Sequence, residues 1–235
     1  MQANITIAID GHSSTGKSTA AKQLAQKLGY LYVDTGAMYR AVSFFALSEN
    51  IITNGILDTK ELEARLEDIT ITFERNPENG NNEVCLNGKN IEKQIRTLEV
   101  SGVVSKIAEV SAVRAKLVEQ QQKMGAAKGV VMDGRDIGTV VFPDAELKVF
   151  MTAAADVRAK RRYDELKESD NTVNYDEVLE NVIERDRIDS TREDSPLIQA
   201  DDALLLDTSH MDRDAQFDML LHWAKEELKK SESAD

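Results

Sequence analysis

The residues best suited to chemistry lie near the start of the chain, in Gly11-His12-Ser13-Ser14-Thr15-Gly16-Lys17-Ser18-Thr19. They meet the pattern G-x-x-x-x-G-K-[ST] at every fixed position. Such a loop holds a polyphosphate with backbone N–H groups, at the positive end of a helix dipole. Lys17 is placed to reach the β- and γ-phosphates, and the Ser18 hydroxyl to meet Mg²⁺. A second set of candidates is a series of arginines: Arg40, Arg96, Arg114, Arg135, Arg158, Arg162, Arg185 and Arg192. A guanidinium matches phosphate oxygens bidentately and stabilises charge on a phosphoryl group in transfer. Together these residues imply a nucleoside triphosphate donor and a second phosphorylated substrate. An acceptor phosphate is already largely anionic at neutral pH, with a second pKa near ~6, so no general base is obligatory. Catalysis would then consist of aligning two anions and excluding water.

The elements around these residues have the order such a site needs. Ile5-Thr6-Ile7-Ala8-Ile9 reads as a buried parallel strand, and Ala21, Leu24, Ala25 and Leu28 follow at helical spacing, with Gly29 placed to end the helix. Further core strands are expected at Leu31-Tyr32-Val33, Gly129 to Met132, Leu147 to Met151 and Ala203 to Leu206. Alternation with helices predicts an α/β fold, a doubly wound five-stranded parallel sheet with helices on both faces. Between Gly55 and Glu99, two runs of period-two alternation flank a turn cluster with Pro77 and Asn79-Gly80, which predicts a small antiparallel insert. It is either a solvated decoration or a mobile lobe that closes over an acceptor. Val100, Val103, Val104 and Ile107, continued by Val113, Leu117 and Val118, give a helical pattern with Ser105 and Arg114 off its main apolar face.

Three places allow a structural or a functional role. Asp34-Thr35 can cap the next helix, or Thr35 and Arg40 can face a second substrate at the carboxyl edge of the sheet. Asp133 can be a turn residue or a carboxylate supporting Mg²⁺. Arg158, Lys160, Arg161 and Arg162 form a dense basic cluster in an acidic protein, which is either a salt-bridged face or a surface for nucleotide phosphates; the second is expected. Further on, Val178, Leu179, Val182 and Ile183 outline an apolar face. Arg185, Asp189 and Arg192 would share one face if the segment is helical.

The 235 residues suit one α/β domain, 1–235, with insertions. A net charge of −13 disfavours nucleic acid and anionic membrane surfaces as partners. The single Cys85 fits a reducing compartment. No apolar run approaches spanning length, and the first strand follows directly on Met1 to Asn4, which predicts a cytoplasmic protein.

Four segments carry a resemblance: Asp34 to Arg40, Ile95-Arg96-Thr97, Asp133 to Pro143, and Arg185 to Arg192 with Ser195-Pro196-Leu197. They are similar to the sequence blocks of bacterial cytidylate kinases, over nearly the whole chain. The resemblance implies transfer of the γ-phosphoryl group of ATP to CMP or dCMP with Mg²⁺, by a monomer with an acceptor-binding insert at 36–125 and a helical lid at 155–195. Lys17, Arg135, Arg185 and Arg192 would be catalytic. Gly11 to Thr19, Arg158 and Arg162 would hold ATP, and Ser18 and Asp133 the metal. Thr35, Arg40 and Arg135 resemble the acceptor-phosphate positions, Ser105, Arg114 and Asp136 those that read cytosine, and Arg185 and Asp189 those at the sugar. Cytosine's N4 amino group suits a carboxylate acceptor, whereas uracil's O4 would face Asp136 acceptor to acceptor, so CMP is expected over UMP. His12 stands where relatives often have proline, with little expected effect on phosphate binding. Ile188 and Ser190 stand where some relatives have more arginine. The alternatives are a kinase for UMP or AMP, and a regulatory protein that hydrolyses ATP slowly and transfers nothing.

Overall fold

A computed structural model of the chain describes residues 4–77, 82–168 and 172–234. The Asn79-Gly80 turn expected between the two alternating runs lies outside these residues. In chain order, β1 (Thr6–Gly11) leads to α1 (Lys17–Leu28), and β2 (Leu31–Asp34) to α2 (Thr35–Ser48). A ribbon of β3 (Ile52–Thr53) and β4 (Ile56–Leu57) precedes α3 (Thr59–Ala64). An antiparallel sheet follows, made of β5 (Ile71–Arg75), β6 (Asn82–Leu86) and β7 (Lys89–Asn90). Then come α4 (Leu98–Ala108), α5 (Ser111–Gly125), β8 (Val130–Gly134), a π-helical turn (Ile137–Val141) and β9 (Leu147–Thr152). The chain closes with α6 (Ala155–Lys167), α7 (Tyr175–Thr191), β10 (Leu204–Asp207) and α8 (Arg213–Ala234).

These elements fall into two compact units, Met1–Thr35 with Val118–Asp235, and Gly36–Leu117. The first contains a five-stranded sheet in the order β10-β9-β1-β8-β2, parallel at every pairing. β1 is central because it can be covered on both faces: Ile7 and Ile9 on one face and Ala8 on the other are wholly buried. Ala20, Ala21 and Leu24 of α1 and Leu220 and Ala224 of α8 pack with Ile7 and Ile9 in one core cluster. Each such large aliphatic side chain contributes roughly 1.5–3 kcal/mol by leaving water. Parallel strands all point their carboxyl ends to one edge, and this register brings Gly11, Asp34 and Gly134 there.

The second unit holds the three-stranded sheet, whose β5 and β6 pair Ile71 with Leu86 and Phe73 with Val84. The helical pattern after Val100 is two helices, not one. The Thr97 hydroxyl caps α4 by accepting the Val100 N–H at 3.3 Å, and the chain breaks at Glu109-Val110 before α5. The β3–β4 ribbon is too short for period-two alternation to announce it; its Asn54 and Gly55 have φ values of 52° and 74°.

Candidate active site

The phosphate loop is shaped by two glycines. Gly11 has φ 140°, and a Cβ there would fall 1.9 Å from the Met151 carbonyl oxygen, so β9 closes the space to any side chain. Gly16 has φ 98° and occupies the N-cap position of α1, where no side chain accepts the first helical N–H groups. Those donors are therefore presented to an incoming anion. The buried Lys17 ammonium donates to the His12 carbonyl and, at 3.4 Å, to Thr15 Oγ1. The Thr15 hydroxyl donates to the same carbonyl at 3.2 Å. From outside, Thr208 Oγ1 and Arg161 donate to the Thr15 carbonyl at 2.9 and 3.3 Å. Ser13 is buried, Ser14 has a left-handed φ of 59°, and Ser18 and Thr19 are exposed on the first turn of α1.

The sheet edge next to the loop carries Asp133, at the end of β8 and not in a turn. Its Oδ2 accepts from the Ser18 hydroxyl at 2.8 Å and its Oδ1 from the Tyr32 hydroxyl at 2.9 Å. The Thr35 hydroxyl donates to the Asp133 carbonyl at 2.8 Å, so its bond runs to the neighbouring strand. Burial raises the Asp133 carboxyl, and the Asp34 charge raises it further. A buried carboxylate facing a hydroxyl fits Mg²⁺, a hard cation that takes one or two protein oxygens and otherwise phosphates and water. No group of three or more His, Cys, Asp or Glu residues suited to a metal occurs among the described residues.

Lys17 reports the charge of its surroundings. Burial pushes its ammonium below the usual lysine range, the Arg135 guanidinium pushes it lower, and Arg185 adds to this against Asp133 and Asp10. Arg135 donates through Nε to Asp189 Oδ2 at 2.8 Å and through Nη1 to the Gly134 carbonyl at 3.3 Å. Burial would lower the Arg135 guanidinium, but the Asp189 carboxylate outweighs it and holds the charge. Asp136 is buried just before the π-helical turn. Arg185 and Asp189 belong to α7, whereas Arg192 sits one residue past its end with extended backbone, φ −61° and ψ 145°. The expectation of three residues on one helical face therefore holds for two. Arg192 Nε donates to the Ser195 carbonyl at 2.8 Å, where Ser195 turns the chain.

The basic cluster is salt-bridged in part. Helical spacing places an acid within reach of two of its members: Lys160 pairs with Asp164 at 2.5 Å and Arg162 with Glu165 at 2.9 Å. Arg161 serves the loop. Only Arg158 points inward: it pairs with both oxygens of Asp186 on α7, at 2.9 and 2.5 Å, and reaches the Ser13 carbonyl at 3.4 Å. His12 Nδ1 lies 3.2 Å from the same carboxylate. Burial alone would raise Asp186, but His12 and Arg158 together pull it down to about 2. The residue that stands in place of proline thus joins the loop to α7. On that helix Val178, Val182 and Ile188 are buried, while Ile183 is exposed.

In the second unit, Ser105 and Arg114 are 4% and 2% exposed, so both belong to the buried side of their helices. Arg114 donates to the Ala108 carbonyl at 3.4 Å and stands 5.9 Å from the Tyr39 ring centroid. Arg40 lies half-buried on α2. Sequence reasoning passed over Tyr32, Asp10 and Asp186. Tyr32 had the signal of a strand position, and Asp10 that of an acid closing an apolar run. Asp186 had none, because an acid among arginines reads as a solvated face.

A family model described as cytidylate kinase matches residues 7–226. A cytidylate kinase of Flavobacterium johnsoniae is 58% identical over 225 residues, covering 96% of this chain and 98% of its own. One from Phocaeicola vulgatus is 59% identical over 207 residues, covering 88% and 90%. Among solved structures, an uncharacterized protein from Eubacterium ventriosum superposes with TM-score 0.51 at 12% identity, over 95% of this chain and 99% of that one, and shares the fold alone. The match along almost the whole chain, together with the phosphate loop and the cations gathered at Lys17, makes this protein a member of the cytidylate kinase family.

Proposed function

We propose that this protein transfers the γ-phosphoryl group of ATP to CMP or dCMP, giving CDP or dCDP. The observation that carries the reading is the charge around Lys17. Burial first, and then the Arg135 and Arg185 charges, lower the proton affinity of the Lys17 ammonium against the pull of Asp133 and Asp10. A ligand with several anionic oxygens offsets that lowering, most of all where phosphoryl transfer spreads charge over equatorial oxygens. The loop from Gly11 to Thr19 holds the ATP phosphates, with Lys17 at the transferring group. Arg135, Arg185 and Arg192 stabilise the charge that develops there. Ser18 and Asp133 hold Mg²⁺, which when bound screens the phosphate oxygens. Arg158 and Arg162 serve ATP, Arg158 with the stronger support because it already touches the loop. The α6–α7 segment is the lid.

Thr35, Arg40 and Arg135 are assigned to the acceptor phosphate, and Arg185 and Asp189 to its sugar. Asp136, Ser105 and Arg114 are assigned to cytosine. The unit Gly36–Leu117 supplies Arg40, Ser105 and Arg114 and is read as the acceptor-binding insert. The burial of Ser105 and Arg114, polar side chains on the helices of this unit, supports this assignment. The protein works as a monomer in the cytoplasm; among the described residues no helix is long and apolar enough to cross a membrane. The test is ATP turnover with CMP, dCMP, UMP and AMP in separate reactions. CDP formation with kcat/KM for CMP well above that for UMP is expected. Equal values for CMP and UMP refute the cytosine assignment, and ATP consumption indifferent to every acceptor refutes the kinase reading.

A further inference from the structure

Asp10, at the end of β1, lies outside the groups assigned above. It is buried, and it spans from the central strand to the turn that follows Arg135 and Asp136. Its Oδ1 accepts the Ile137 N–H at 2.8 Å and its Oδ2 the Gly138 N–H at 2.7 Å. These are the opening donors of the π-helical turn Ile137–Val141, whose first N–H groups have no partner within the turn itself. An acid at the N-cap position usually supplies them. Here the N-cap residue is Asp136, at φ −145° and ψ 26°, and its side chain makes no capping bond to the turn. The capping carboxylate comes instead from 127 residues earlier in the chain. Burial lifts the Asp10 carboxyl to about 7 even though both N–H groups lower it.

The consequence concerns aim. The backbone of Asp136 is held on one side by β8, which pairs Gly134 with Asp10 in the parallel register, and on the other by the two bonds to the Asp10 carboxylate. One residue therefore fixes both ends of the Arg135-Asp136 link. We infer that Asp10 is a positioning residue for acceptor selectivity: by capping the turn in place of Asp136 and holding the backbone on either side of it, it sets the direction of the Asp136 carboxylate that reads the base. This rests on the assignment of Asp136 to cytosine made above.

The experiment compares kcat/KM for CMP and UMP in wild type, Asp10→Asn and Asp136→Asn. An asparagine at position 10 can accept one of the two N–H groups but turns its own N–H₂ toward the other. A purely structural defect lowers the active fraction and scales both acceptors alike, leaving their ratio unmoved. Misdirection of Asp136 narrows the ratio; a loss of about 10-fold is expected for Asp10→Asn, in the range a displacement below 1 Å produces. Narrowing in both variants supports the inference. Narrowing in Asp136→Asn with an unchanged ratio in Asp10→Asn overturns it while the cytosine assignment stands. An unchanged ratio in Asp136→Asn overturns the assignment, and the inference with it. If Asp10→Asn does not fold, Gly138→Ala takes its place: the added Cβ lies 3.4 Å from Asp10 Oδ2 and 3.2 Å from the Lys148 side chain. It crowds the same cap, and its ratio is judged by the same outcomes.

Discussion

Asp186→Asn isolates what the acid on α7 does for the phosphate loop. In the nucleotide-free protein this carboxylate is the counter-anion of Arg158, whose side chain is only 4% exposed. Removing one partner of a buried ion pair costs ~3–5 kcal/mol because the other charge is left unpaired. Three features reduce that figure. Asp186 is itself 22% exposed, Arg158 keeps its bonds to the Ala153 and Ser13 carbonyls, and the asparagine oxygen still accepts one N–H. A loss of about 2–3 kcal/mol is therefore expected, or a melting temperature lower by roughly 4–12 °C for a chain of this size. The assay is equilibrium urea unfolding with and without Mg-ATP. If a phosphate replaces the lost carboxylate at Arg158, saturating ATP restores more stability to the variant than it adds to wild type. The same variant has a pH signature. Asp186 is held at about 2, below its ordinary 3.8, so its contribution is complete above pH 4 and disappears as pH falls toward 2. The stability difference between wild type and variant should shrink across that interval. A destabilisation under about 1 kcal/mol at pH 7, or an ATP increment no larger than in wild type, refutes the counter-anion argument.

Lys17→Ala and Arg135→Ala should each reduce turnover by ~10²-fold or more with the fold intact, since each removes charge that complements the transition state. A loss under threefold in steady-state assays shows the residue to be misassigned. Asp189→Ala should weaken turnover with both acceptors, because Arg135 loses its partner at 2.8 Å. It should weaken CMP more than dCMP if the carboxylate also meets the 2′-hydroxyl; equal losses in paired kcat/KM measurements remove the sugar assignment. Tyr32→Phe takes away the hydroxyl that orients Asp133, and should raise the Mg²⁺ concentration for half-maximal activity about 5- to 10-fold. A Mg²⁺ titration that superposes on wild type refutes a role for the Tyr32 hydroxyl in aiming Asp133 at the metal.

Local signals read correctly where the physics is local. The strand before Gly11 is apolar on both faces, and the helix after Lys17 has its core positions at helical spacing. The glycines sit where β9 and α1 leave no room or no alternative. The end of α7 at Thr191 was not legible, because charged residues continue past it while Arg192 has already left the helix. The single pattern across Val100 to Val118 hid a helix break for a similar reason: the apolar period survives a two-residue interruption. The pairing within the basic cluster was not legible because a charge density counts neighbours along the chain. Asp164 and Glu165 neutralise Lys160 and Arg162 locally, while Arg158 finds its acid 28 residues away.

Short spacings and blocks of adjacent residues are enough to identify the phosphate loop, the five core strands and the family. The side chains that serve those blocks from a distance follow only from how the elements pack. The parallel sheet sets Asp10 beside the turn after Asp136, Thr35 and Tyr32 beside Asp133, and packs α7 so that Asp186 meets both Arg158 and His12. Such pairings are fixed by the strand order and by the desolvation that makes a buried charge require its partner, and neither quantity is written in local spacing.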